Sequence, residues 1–290
     1  LEAAPPFGYG GRPDPAALLG RSGPSRTSSP KRPIARMTVA PSPRHPPQPV
    51  ETVPGDPGCG LLLLCDHASN AVPPDLDNLG VAAPHFERHI AYDIGAAAVT
   101  RALARRLGAP ALLTTFSRLI IDPNRGRTDP TLVMRLSDGA IVPGNARIGP
   151  DGVAERLARF YDPYDHAIDA AVAAAMRAGA PPAIVTVHSF TPAWRGVARP
   201  WQVGILWDRD DRLAGPLIAG LRADPAGFTV GDNQPYGGGL PGDTIDRHAM
   251  ARGLPNALIE IRQDLIGDAA GAEEWAARFS ALLGPLVARA

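Results

Sequence analysis

The stretch Leu61-Leu62-Leu63-Leu64-Cys65 is an unbroken apolar run that ends abruptly in Asp66-His67-Ala68-Ser69-Asn70. A short apolar run between breakers suits a strand buried on both faces, because neither face can then present a polar residue to water. Helix competes for any such run, but Pro57 and Gly60 before it and Pro73-Pro74 after it leave little room for one. The chain is thereby committed to a sheet covered on both sides. Where such a strand leaves the sheet at its carboxyl end, open α/β folds place their ligands. Asp66, His67, Ser69 and Asn70 reach that edge together. Taken alone, they read equally well as a loop histidine beside an Asx turn.

The rest of the chain supplies the other layers. Residues 84–106 carry Ile90, Ile94, Val99 and Leu103 near helical spacing, with Gly108 and Pro110 as the stop. Residues 111–121 read as strand with a polar break at Ser117-Arg118, and residues 126–150 as an irregular loop. A long Ala-rich helix is expected over 152–178, with Pro163 as a possible break. Further strands are expected at 183–187, 203–207, 228–231 and 257–261, and helices at 211–223 and 273–288. Strands alternating with helices predict a three-layer αβα domain over residues 50–290. Residues 1–49 are dense in Pro, Gly, Ser and Arg without apolar periodicity, so they are expected to be disordered. They lack the apolar core of a secretory signal. A start at Met37 would leave the residues before it as an upstream extension.

Composition bounds the function. The chain has 290 residues, 44% hydrophobic and 20% charged, with a formal net charge of zero. Neutrality gives no electrostatic reason to expect nucleic acid or an anionic membrane. No segment approaches the roughly 18 consecutive apolar residues of a membrane helix. Cys59 and Cys65 do not make a disulfide framework, which suits a reducing cytoplasm.

The chemistry-bearing residues collect at expected strand ends. Asp66-His67 ends the first, Arg118 and Asn124-Arg125 follow the second, His188-Ser189 ends a third, and Glu260 lies on a late one. The helix between the first two is expected to supply Asp93. Zinc binds neutral imidazole and carboxylate, and a catalytic zinc keeps one position for water. Two histidines and one aspartate would serve. Each histidine alone is more often a hydrogen-bonded structural residue, and Asp93 alone reads as a helix or turn acid. The metal reading rests on their coincidence within one domain.

His67-Ala68-Ser69-Asn70, Tyr92-Asp93-Ile94-Gly95, Ser117 to Arg125, His188-Ser189, Gly242 to His248 and Ile259-Glu260-Ile261-Arg262 occur in this order. Together they resemble the N-formylglutamate amidohydrolase family over about residues 58–285. That family is similar in fold to zinc carboxypeptidases and to the aspartoacylase and succinylglutamate desuccinylase group. The resemblance implies a mixed, largely parallel sheet, eight-stranded in those relatives, between helices. It implies one zinc per chain, held by His67 and His188. Asn70 stands where the related groups have a ligand glutamate, and an amide is a weak zinc ligand beside a carboxylate. Asp93 is therefore the favoured third ligand and Asn70 the alternative. By the same resemblance Glu260 is the general base, Arg118 stabilises the oxyanion, and Asn124 and Arg125 hold a substrate carboxylate. His248 is expected to help bind substrate, and Tyr236 to reach the site as a mobile donor. The implied reaction is hydrolysis of a small N-acyl amino acid, with N-formyl-L-glutamate as type substrate. The alternatives are a peptidase or peptidoglycan amidase on the same scaffold, or a metal-free binding protein on a degenerate hydrolase fold. The oligomeric state is not legible.

Overall fold

A computed structural model describes residues 48–287. The expectations of disorder and of a start at Met37 fall almost entirely on residues outside that range. The strands are β1 (Val50–Val53), β2 (Leu61–Cys65), β3 (Ala111–Thr114), β4 (Leu136–Ser137), β5 (Ala140–Ile141), β6 (Ala183–Phe190), β7 (Ala193–Trp194), β8 (Val197–Ala198), β9 (Val203–Leu206), β10 (Val230–Asp232) and β11 (Asn256–Arg262). The α-helices are α1 (Ala96–Leu107), α2 (Pro143–Ala146), α3 (Pro150–Arg156), α4 (Asp162–Arg177), α5 (Ala214–Arg222), α6 (Thr244–His248) and α7 (Ala269–Val287).

Seven strands form one mixed sheet in the order β1-β3-β2-β6-β11-β9-β10. β3, β2, β6 and β11 run parallel, while β1 and β9 are antiparallel to their inner neighbours. The sheet is thus one strand smaller than the eight implied by the resemblance. β2 shows why a leucine run is needed at its centre. Leu61, Leu63 and Cys65 face the core built with α1, α5 and α7. Leu62 and Leu64 face the opposite core, with Tyr164, Ile168 and Val172 of α4. Full burial of a leucine is worth roughly 1.5–3 kcal/mol, so a polar residue on either face would be costly. Among the described residues no helix is long and apolar enough to cross a membrane.

Two sequence expectations change here. The helix expected over 84–106 is only α1; residues 83–87 form a 3₁₀ turn and residues 88–95 a loop. Asp93 is therefore a loop residue and not a helical one. Leu119-Ile120-Ile121 is a buried turn and not a strand. Its apolar side chains pack in a third core, with Phe116, Phe160 and Tyr161, under the loops at the sheet's edge. The long helix is interrupted, as Pro163 suggested: a π-helical turn over Leu157–Tyr161 joins α3 to α4.

Candidate metal centre and active site

β2, β6 and β11 are parallel, so their carboxyl ends lie on one edge. β2 delivers Asp66 and His67 just past its last residue. His188 and Glu260 are register partners on adjacent strands. Being directly paired, their side chains stand on the same face of the sheet. The loop before α1 brings in Asp93, whose amide donates to the His67 carbonyl at 2.9 Å. The Ser189 hydroxyl donates to the Ile94 carbonyl at 2.8 Å and ties that loop to β6. Gly95 then turns the chain with φ +82°, and a Cβ there would lie 2.2 Å from the Ile266 carbonyl. Only glycine fits both demands.

The two imidazoles point their Nδ1 atoms at one carboxylate oxygen. His188 Nδ1 lies 2.8 Å and His67 Nδ1 3.3 Å from Asp93 Oδ2. Their outer nitrogens meet other acids: His188 Nε2 is 3.0 Å from Asp66 Oδ2, and His67 Nε2 is 2.7 Å from Asp122 Oδ1. A neutral imidazole has one N–H. With that N–H turned to Asp66 or Asp122, the Nδ1 lone pairs converge on Asp93. Two such lone pairs and a carboxylate make a ligand set for a cation, and carboxylates behind ligand histidines are the usual support. All three residues are buried, and their ligand atoms lie within 4.8 Å of one another. The group could bind a metal ion.

The surrounding acids favour positive charge at the same point. Burial works to raise the Asp93 carboxyl, but the charges of His67 and His188 and its hydrogen bonds to them hold it well below the usual range. Asp66 is likewise held low against burial by its hydrogen bond to His188. Asp122 is held low against burial by Arg118 and His67. Burial disfavours the His188 imidazolium, yet Asp66 and Asp93 together raise its pKa well above the ordinary value. Glu260 behaves in the opposite way. Burial, with the Asp93 charge adding to it, pushes its carboxyl up to about 8 against the opposing pull of His188. It is 6% exposed, and its Oε2 has no hydrogen-bond partner. A buried carboxyl oxygen left unsatisfied beside a metal-capable cluster is a candidate reactive group.

His67, Asp93, His188 and Glu260 line a cavity of about 350 Å³, together with Arg118, Asn124, Arg125 and Tyr236. That is the scale of a small-molecule site. Arg118 is braced by Asp122, with Nη2 2.6 Å from Oδ2. Its Nη1 stands 3.6 Å from Asp93 Oδ1. Thr244, the first residue of α6, joins two parts of the site. Its hydroxyl donates to Asp66 Oδ1 at 2.9 Å, and its amide donates to Asn124 Oδ1 at 3.1 Å.

The profile of the N-formylglutamate amidohydrolase family matches residues 59–267. The chain belongs to this family. In fold it is similar to the gene product Atu2144 from Agrobacterium tumefaciens, with 33% identity, a TM-score of 0.77, and 83% of this chain and 96% of that one covered. It is also similar to N-formylglutamate amidohydrolase from Ralstonia eutropha JMP134, at 23% identity and TM-score 0.65, covering 83% of this chain and 99% of that one. No functionally curated protein matches. Family membership makes the chain a hydrolase of the amidohydrolase kind.

Within this family frame, the structure gathers His67, Asp93, His188, Arg118, Asn124, Arg125 and Glu260 around one cavity. Two of the expected residues sit differently. Asn70 is outside the metal-capable group, and its side-chain amide donates to the Phe86 carbonyl at 2.9 Å. His248 is buried away from the cavity lining. Its Nε2 lies 2.7 Å from Asp165 Oδ1 and its Nδ1 2.9 Å from Asp169 Oδ1, both on α4. Both nitrogens are occupied, so the expected substrate contact is not available to it. Its neighbour Arg247 explains the motif instead. The Arg247 guanidinium donates to the carbonyls of Pro123, Arg125 and Gly242, clamping the turn that presents Asn124 and Arg125. The supporting role of Asp122, between His67 and Arg118, is not legible in the sequence. Its only local signal was its place four residues after Arg118, the spacing of a charge pair.

Proposed function

We propose that this chain is a zinc-dependent amidohydrolase that removes a small acyl group from an N-acyl amino acid, with N-formyl-L-glutamate as type substrate. The observation that carries the reading is the convergence of His67, His188 and Asp93 beside the partnerless Glu260 carboxyl. These three residues would hold the zinc, which when bound supplies a Lewis acid and brings the pKa of a water toward neutrality. Glu260 takes a proton from the attacking water as its oxygen bonds to the acyl carbon. It returns that proton to the departing nitrogen as the C–N bond breaks, leaving a carboxylic acid and an amine. A carboxyl whose two proton states are both accessible near neutral pH suits a group that must take and give. Arg118 offers Nη1 to the oxygen that gains negative charge, with the rest of its guanidinium held by Asp122. Arg125 uses Nε on the Thr131 hydroxyl and Nη1 on the Asn124 carbonyl, which leaves Nη2 for a substrate carboxylate.

A cavity of about 350 Å³ favours a small substrate over a peptide, which needs an open groove. The test is release of formate from N-formyl-L-glutamate, beside release of acetate and succinate from the matching analogues. Turnover of the formyl compound with little release from the others supports the reading. Turnover of peptides alone overturns it.

A further inference from the structure

The helical stretch from α3 to α4 carries a wide turn that the proposed reaction does not use. Over Leu157–Tyr161 the chain is π-helical, and the Asp162 amide donates to the Leu157 carbonyl five residues back. Pro163 accounts for a break here, because it has no N–H for the carbonyl four residues before it and its ring crowds that carbonyl. It does not account for what the turn holds. Arg156, the last residue of α3, is buried, and its Nη1 donates to the Ile120 carbonyl at 2.7 Å. Tyr161, the last residue of the π-turn, is also buried, and its hydroxyl donates to the Arg125 carbonyl at 2.8 Å. A regular α-helix turns about 100° per residue, which would set side chains five apart about 140° from each other. A π-turn bonds residues five apart and brings them back toward one face. One face of the helix thus reaches both ends of the segment 120–125.

That segment serves the site along its length. Asp122 supports His67 and Arg118, and Asn124 and Arg125 line the cavity. Within it the Asn124 amide donates to Asp122 Oδ1 at 2.9 Å and the Arg125 amide to the Asp122 carbonyl at 3.2 Å. Tyr161 stands behind the turn and is not among the residues lining the cavity. Its ring packs against the guanidinium groups of Arg127 and Arg247, each 4.9 Å from the ring centre. Arg247 Nη1 donates to the same Arg125 carbonyl at 3.3 Å. The Arg125 backbone is therefore gripped from the side away from the cavity. A phenylalanine would fill the same place beside Phe116 and Phe160 in the third core, so packing alone does not call for the hydroxyl.

We infer that Tyr161 is a positioning residue for substrate binding: the π-turn aims its hydroxyl at the Arg125 carbonyl and so fixes the turn from which Arg125 reaches the substrate. The inference rests on the substrate contact proposed for Arg125, but the order of the turn is read without turnover.

The experiment compares wild type with Tyr161→Phe, which removes the hydroxyl and keeps the ring, as metal-loaded full chains. Amide hydrogen exchange over residues 120–125 and steady-state kinetics with N-formyl-L-glutamate are measured on the same samples. Exchange should quicken in that segment alone. KM should rise about 2–10-fold, the net worth of one hydrogen bond, with kcat within about twofold of wild type. In an Arg125→Gln background the same substitution should leave KM where Arg125→Gln alone puts it, because two residues acting through one contact are not additive. Unchanged exchange over 120–125 overturns the inference. So does faster exchange there with an unchanged KM, or a KM effect of equal size in the Arg125→Gln background. An early melt with faster exchange across the whole domain would make Tyr161 a packing residue and overturns it too. If wild type hydrolyses no N-acyl amino acid, the proposed function fails by itself, and the exchange comparison still decides whether Tyr161 fixes the Arg125 turn.

Discussion

Three buried histidines of this domain have both ring nitrogens against carboxylates, yet they end in two different structures. At the sheet edge, His67 and His188 turn their Nδ1 atoms to the one oxygen of Asp93 and rest their Nε2 atoms on separate acids. Beside α4, His248 lies alone between Asp165 and Asp169. Those two acids are also taken by Arg247 and Arg252, at 3.0 Å and 2.7 Å. The second cluster closes on itself. Each acid also has an arginine, and neither ring nitrogen of the histidine faces the cavity. The first cluster converges, so that its lone pairs and a carboxylate share one point. A histidine between two acids suits a structural role; two histidines that share an acid and are each backed by another acid could hold a metal ion.

Replacing one histidine from each cluster separates them most widely. His188→Ala leaves two ligands where a catalytic zinc usually has three. Metal and nearly all activity should be lost, as read by metal analysis and kinetics on the same sample. His248→Ala should keep both metal and KM, and cost about 1–3 kcal/mol of stability through the acids it leaves unpartnered. A raised KM with an unchanged denaturation midpoint would restore the substrate contact that the sequence suggests.

Glu260→Gln comes next. Acid–base groups contribute about 10²–10⁴-fold, so kcat should fall by that order while metal stays bound. Metal loss in this variant would make Glu260 a ligand.

The backing acids sharpen the comparison further. Asp66→Asn weakens the support behind His188 and should lower metal affinity about 10–100-fold. Asp169→Asn, its counterpart beside His248, should leave metal affinity alone. Competition with a chromophoric chelator reads both, and equal effects would erase the distinction between the clusters.

The closed cluster should be felt in acid. Burial alone would raise the Asp165 carboxyl, but His248 and Arg247 bring it down to about 2. Its folded value lies below its unfolded one, so the stabilisation is fully present above pH 4 and is lost as pH falls toward 2. The shift from 3.8 corresponds to about 2 kcal/mol. The stability difference between wild type and Asp165→Asn should therefore shrink over that interval. A difference independent of pH would show that the charge of Asp165 contributes nothing.

These contrasts also show what one-dimensional reading reaches. β2 was legible because a both-faces-buried strand needs leucine at every position, and His67, His188 and Glu260 because they lie at or just beyond the ends of such strands. The Leu119–Ile121 turn reads as strand in the sequence because burial and strand propensity look alike in a short apolar run. Only the third core under the loops tells them apart. Residues 88–95 read as helix in the sequence because Ile90 and Ile94 fall at helical spacing. In the structure this loop is pinned by the Asp93 amide, Ser189 and Ser117, contacts that span 26 residues or more. The resemblance suggests substrate binding for His248, and nothing local reveals that Asp165 and Asp169, four apart on α4, both face it.

The central claim is that His67, Asp93 and His188 hold one metal ion on which amide hydrolysis depends. The direct test measures metal per chain and formate release from N-formyl-L-glutamate in the same samples, through chelation and stepwise return of Zn²⁺. Formate release should rise in proportion to occupancy and level off at one ion per chain, with neither occupancy nor release recovered in Asp93→Asn. Full formate release from metal-free protein would contradict the account.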